Sequence, residues 1–304
     1  LFGLHANNYA ATVNISSSAA GEAIIIRGTG GTFEAVHVSG TVNITSTGGG
    51  SVSINGNASG SGEGIIAGGY YDGILNVYAN SGDITINGNA NGVYVVDNLA
   101  AYNAITSKIN IGQGGSVASS TSNVFIVGNT IALAAGGMAI NTSGQVTIQP
   151  SGTSFASALS FPISNLNLSS SISGLTLGKA GNTANITIGS ATIDGPISIF
   201  GGAVALTGSL IANGAISVTA VGSGQHSFKI YGTCAKLKSA SDITISATGG
   251  TWGLTMYNDS FIQSTGGNIN ITANGTWGGF YTNTTGGIYA SSNTATPTDT
   301  PTAG

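Results

Sequence analysis

The sequence predicts an all-β chain, a right-handed parallel β-helix (β-solenoid) of roughly a dozen coils. Three observations point there. A short unit, opened by glycine or asparagine and followed by alternating aliphatic and polar residues, recurs throughout, as in Gly40-Thr41-Val42-Asn43-Ile44-Thr45. Longer phrases echo at a distance: Asn55-Gly56-Asn57-Ala58 returns as Asn87-Gly88-Asn89-Ala90, and Thr251-Trp252-Gly253 as Thr276-Trp277-Gly278. The composition is unusual too. Of 304 residues 50 are glycine, 41% are hydrophobic and only 5% are charged, against about 25% charged in ordinary soluble domains.

Alternation of this kind marks a strand with one buried face. Its unit recurs with first aliphatic residues Val42, Val52, Leu75, Ile84, Ile109, Val124, Val146, Leu166, Leu175, Ile186, Ile197, Val204, Ile216, Ile243 and Ile269. A strand so short cannot bury its apolar face alone, whereas stacked copies can. Short steps between these starts read as a corner between two faces of one coil, long steps as a full turn back to the same face. A coil of roughly 20 to 25 residues is the usual range for strand solenoids. At about 4.8 Å between strands, the stack would be roughly 60 Å long. Parallel crossovers carry a strong right-handed preference. Glycine and asparagine suit the corners because both tolerate left-handed backbone, and stacked asparagines can form ladders. The competing fold is an antiparallel sandwich or barrel, which accounts for the short steps but not for the long echoes.

In chain order, residues 1–39 form a less regular N-terminal cap or joint that still holds Val13-Asn14-Ile15 and the apolar run Ile24-Ile25-Ile26. Residues 40–290 form the solenoid. Residues 291–304 are a Thr/Pro-rich tail without a strand pattern. The chain opens at Leu1 with no leader pattern and reads as a mature or excised segment.

Composition excludes several functions. Net charge is −4 and Lys plus Arg number 6, too few for a nucleic-acid surface. No apolar run reaches the length of a membrane helix, so no membrane insertion is expected. Disorder and collagen fit neither the hydrophobic content nor the glycine spacing. Cys234 is the one cysteine; an internal disulfide is impossible, and a small buried hydrophobe is the expected role.

Catalytic signals are sparse. Polysaccharide cleavage on a β-helix needs clustered carboxylates, yet the acids are scattered, with Asp83 and Asp242 placed as corner residues. His5, His37 and His226 lack partners at metal-ligand spacing. No catalytic residue, metal site or cofactor is therefore expected. The candidate surface is aromatic. Trp252 and Trp277 fall one coil apart, followed by Tyr257 and Tyr281. Stacked, they form a ladder that either packs for stability or serves as a platform for sugar rings. Tyr70, Tyr71, Tyr78, Tyr94 and Tyr102 enrich a second patch.

The runs Ser173-Gly174-Leu175-Thr176-Leu177-Gly178-Lys179 through Asn185-Ile186-Thr187-Ile188, and Gly195-Pro196-Ile197-Ser198-Ile199-Phe200-Gly201-Gly202, resemble repeat regions of bacterial filamentous-haemagglutinin-like exoproteins. The resemblance spans roughly residues 40–290. It implies an exported β-helical shaft for adhesion, biofilm or surface architecture. The expectation is thus a non-catalytic extracellular or cell-surface rod, self-associating end to end into fibres and meeting glycans or cell surfaces. The alternative is a carbohydrate-binding or polysaccharide-degrading β-helix protein.

Overall fold

A short strand with one apolar face is stable only against neighbours, and the computed structural model shows where each finds them. It describes residues 4–69, 72–96, 107–112, 120–283 and 287–290. Among these residues there is no helix. Strands pair in parallel within long sheets, an all-β arrangement consistent with a β-solenoid. The antiparallel alternative fails on this point: Val42 pairs in parallel with Leu75, a full pass of the chain later, not with the nearby Val52. The tail 291–304 lies outside the described residues.

The chain divides into two compact units, Leu1–Ala156 with Ser164–Ile172, and Ser157–Ile163 with Ser173–Gly304. In the first unit one stack runs through Ser51–Ala58, Ile84–Asn89, Val124–Gly128 and Gln145–Gln149, with Glu22–Gly30 at its margin. A second runs from the C-terminal half of Val36–Ser46 through Gly73–Ala79, Lys108–Ile111, Met138–Ile140 and Leu166–Leu168. A third runs from the N-terminal half of Val36–Ser46 through Ile65–Gly68, Val93–Val96 and Ile131–Leu133. The 1–39 segment enters the same pairings, since Leu4–Ser17 lies in register against Val36–Ser46 along both halves.

The second unit also has three stacks. One comprises Gly174–Leu177, Ile197–Gly201, Ile216–Ala220 and the first parts of the long strands Ile243–Tyr257 and Ile269–Asn283. The next comprises Leu159–Phe161, Ile186–Ile188, Val204–Leu206, His226–Ile230 and the later parts of the same two long strands. The last comprises Ala191–Ile193, Ser209–Ala212, Lys236–Ser239, Phe261–Ser264 and Ile288–Ala290. Each long strand serves two stacks by bending between them.

In-register pairing turns alternation into columns. Val42, Leu75, Ile109 and Met138 stand over one another, as do Val52, Ile84, Val124 and Val146, and every one is buried. Burying an aliphatic side chain of this size contributes about 1.5–3 kcal/mol. The stack therefore gains with each added pass, while an isolated strand gains almost nothing.

Outward columns are polar. Asn14, Asn43, Asn76 and Asn110 form a ladder in which each Nδ2 donates to the Oδ1 of the asparagine one pass earlier, at 2.8, 2.8 and 2.7 Å. The repeated Asn-Gly-Asn phrase forms a second ladder. Asn87 Nδ2 donates to Asn55 Oδ1 at 3.2 Å and Asn89 Nδ2 to Asn57 Oδ1 at 2.8 Å. Ladder partners lie 33 residues apart at Asn43–Asn76. In the second unit, the corner partners Asp194 and Asn213 are only 19 apart. The Asn43–Asn76 pass in the first unit is thus longer than the roughly 20 to 25 residues that the sequence spacing predicts.

Asn76 both accepts and donates within its ladder. Asn76→Asp keeps an acceptor for Asn110 but cannot donate to Asn43, and sets two acceptors face to face. It is expected to lower stability by about 2 kcal/mol, read as a lower urea midpoint at unchanged slope.

Candidate functional site

The most distinctive surface lies on the second unit. His226–Ile230 and Ile243–Tyr257 pair so that Phe228 meets Leu254 and Lys229 meets Thr255. The next strand, Ile269–Asn283, sets Tyr281 opposite Thr255 and Gly278 opposite Trp252. Phe228, Leu254 and Met256 face the core and are buried. By alternation Lys229, Thr255 and Tyr281 point outward.

The rings close over this outward column. Trp252 and Tyr281 have centroids 5.1 Å apart at 42°, and Tyr257 and Tyr281 are 5.9 Å apart. The His226 ring meets Tyr257 edge-on at 6.1 Å. The Lys229 ammonium sits 4.0 Å from the centroid of Tyr231 and 5.3 Å from that of Tyr257, where the ring quadrupole attracts a cation. Thr255 lies beneath them at 0% exposure, and its Oγ1 has no hydrogen-bond partner.

Two shifted titrations fall here. Burial, and then Tyr281, raise the Tyr257 phenol above its ordinary value. Burial, and then the Lys229 ammonium, lower the His226 imidazole. The folded state therefore resists protonating His226 while the unfolded chain does so near pH 6.5. The unfolded state binds more protons in that window, so stability is complete above it and is lost as pH falls towards the folded value. Urea midpoints taken from about pH 8 to about pH 5.5 are expected to decline, and His226→Gln to flatten the decline.

Trp252, Tyr257 and Tyr281 are thus brought together as expected, and Trp277 is not. The two strands pair at an offset of 26 residues at Ile243–Ile269 and, past a local irregularity at Gly250, again at Trp252–Gly278, whereas the two tryptophans are 25 residues apart. Trp277 instead projects from the surface at 79% exposure. Gly278 was not singled out in the sequence, yet a Cβ there would run into the Trp252 ring. His226, Lys229 and Tyr231 were also missed. Aligning Phe228 over Leu254, one pass earlier, is the signal that could have found them. A smaller ring pair, Phe261 and Tyr289 at 6.5 Å with Lys236 Nζ 5.0 Å from the Phe261 centroid, lies on the neighbouring stack.

Of the tyrosine patch of the first unit, the two described members lie on different stacks. Tyr78 is buried within one stack and Tyr94 lies on another, and Tyr70, Tyr71 and Tyr102 fall outside the described residues. Cys234 is also not the buried hydrophobe expected. It is exposed, with left-handed backbone at φ 54°, because it occupies a turn rather than a strand. The corner assignments hold: Asp83 accepts from Asn123 Nδ2 at 3.1 Å, and Asp242 from the Asn268 amide at 2.7 Å.

Two other arrangements bear on catalysis. Ser39 Oγ lies 2.8 Å from His37 Nε2, and Glu34 Oε2 lies 3.9 Å from His37 Nδ1. The Gly68 carbonyl oxygen, however, is 2.9 Å from the same Nε2 and requires a proton there. That nitrogen is then a donor and cannot take the proton of Ser39, which is itself 1% exposed. An open recess of about 270 Å³ between Gly60, Glu63, Asn91, Tyr94 and Thr130 holds one carboxylate, Glu63. Asn91 Nδ2 is committed to the Gly60 and Gly62 carbonyls at 2.8 and 2.5 Å. Retaining and inverting glycoside cleavage both ordinarily need two carboxyl groups.

No protein-family model matches this chain, and no curated protein or solved structure matches it.

Proposed function

We propose that the chain is a non-catalytic extracellular structural protein, an adhesin-like right-handed β-solenoid of roughly a dozen coils, at or beyond the cell surface. The observation that carries this reading is the stacking of aliphatic columns inside and asparagine ladders outside. Such columns make stiffness the product of the sequence. Each pass is hydrogen-bonded to the next, and a chain with 5% charged residues offers few sites that depend on salt. The resemblance to filamentous-haemagglutinin-like repeats agrees in the style of the units alone.

The fibre form of this proposal rests on an edge. Among the described strands, Ile269–Asn283 pairs only with Ile243–Tyr257, and it exposes Trp277 and Phe280. An unpaired edge with exposed apolar residues is a template for another strand. A second copy joining end to end is the occupant we propose. Negative-stain electron microscopy across a concentration series tests both parts. Rods that lengthen with concentration are expected. Discrete short rods would refute fibre formation, and round particles would refute the shaft itself.

A further inference from the structure

We infer that the outward surface around Lys229 binds an acidic polysaccharide, one whose sugars carry carboxylates. The inference rests on the chain being a surface-exposed solenoid, and it supplies the adhesive chemistry which that reading leaves open. A pyranose ring offers a C–H face that packs on aromatic rings and a rim of hydroxyls that takes hydrogen bonds. Trp252, Tyr281 and Tyr257 lie side by side with centroids 5.1 and 5.9 Å apart, a spacing comparable to the width of a sugar ring. Their indole N–H and phenol groups have no hydrogen-bond partner among the described residues.

Charge selects the class of sugar. Lys plus Arg number 6 in the whole chain, yet Lys229, Lys236 and Lys238 all fall on two consecutive strands, His226–Ile230 and Lys236–Ser239. Lys229 and Lys236 each stand over an aromatic ring. No carboxylate of the described residues pairs with Lys229. A cation held at the margin of a ring platform without an acidic partner is placed to take a ligand carboxylate. A neutral glycan would make no use of it. In a chain of net charge −4, three of the six Lys and Arg thus fall within ten residues of sequence.

The test is affinity electrophoresis of the full chain through gels containing polygalacturonate, with dextran as the neutral control. Retardation by polygalacturonate that weakens with salt is expected, with none by dextran. Lys229→Gln, which leaves the ring packing in place, should weaken binding about tenfold. Tyr281→Ala should do the same, with melting temperatures recorded to confirm that both variants fold. Lys108→Gln, in the other unit, should leave it unchanged. Equal retardation by dextran, indifference to Lys229→Gln, or competition by a single-stranded oligonucleotide would overturn the inference. Rods in the micrographs without affinity for polygalacturonate would overturn it while leaving the structural role intact.

Discussion

Gly56→Ala is expected to lower stability by about 3 kcal/mol or more, with Gly88→Ala similar. The reason lies in how the stacks of the first unit turn into one another. Gly28 pairs with Gly56, and Gly88 occupies the same place in the Asn-Gly-Asn phrase one pass later. A Cβ at Gly28 would meet the Ala35 carbonyl oxygen, one at Gly56 that of Gly64, and one at Gly88 that of Gly92. These are backbone atoms already fixed by pairing, as when the Val36 amide donates to the Gly64 oxygen at 3.0 Å. They cannot swing aside as a flexible side chain would. Relief would require separating the strand from the next turn of the chain, which would also pull apart the ladders Asn55–Asn87 and Asn57–Asn89. Chemical denaturation compared with Gly31→Ala, where a Cβ would meet nothing within 4 Å, separates close approach from the ordinary cost of changing a glycine. If both substitutions behave alike, the close approach is not what the Asn-Gly-Asn phrase is for.

The same phrase shows why part of this fold could be read from the sequence. Each aliphatic position chosen from alternation alone, from Val42 to Ile269, lies inside a strand, because inward columns demand Val, Ile or Leu at every second residue. The Asn-Gly-Asn echo was legible for a similar reason: a ladder needs the same amide, and a tight turn the same glycine, at each pass. The stack Ala191–Ile193, Ser209–Ala212 and Lys236–Ser239 was not legible. Two of its strands lack the aliphatic–polar–aliphatic unit: Ser209-Leu210-Ile211-Ala212 sets two large aliphatic residues side by side, and Lys236-Leu237-Lys238 hides one buried leucine between two charges. The candidate site was half legible. Trp252, Tyr257 and Tyr281 can be picked out as aromatics one pass apart, but stacking Trp277 on Trp252 overlooks that the two are 25 residues apart while Ile243–Ile269 and Trp252–Gly278 pair at 26. Trp277 was misplaced for this reason alone.

Phe228→Ala is expected to cost about 3–5 kcal/mol, and Phe280→Ala, in the same column, less than about 1 kcal/mol. Val204, Phe228, Leu254 and Phe280 are vertical neighbours, so side-chain type and alternation treat the two phenylalanines alike. Burial does not. Phe228 is 1% exposed and stands between paired strands on both sides, whereas Phe280 is 45% exposed on a strand that, among the described strands, is paired on one side only. Removing Phe228 leaves a void roofed by Val204 and Leu254, whose own positions are held by backbone pairing and cannot collapse to fill it. Removing Phe280 deletes a ring that was nearly half in water already. Amide exchange across His226–Ile230 and the later part of Ile243–Tyr257 should accelerate strongly in the first variant and little in the second. Loss of Phe228 should also loosen the strand that carries Lys229, weakening polygalacturonate retardation without touching any ring that faces the ligand. Equal costs for the two variants would mean that Phe280 is covered in solution, which is the state an end-to-end joint at that edge would create. Repeating the measurement at a dilution where electron microscopy shows only single rods then separates the two causes. A Phe280→Ala cost that vanishes on dilution belongs to the joint, and one that persists would contradict the open edge.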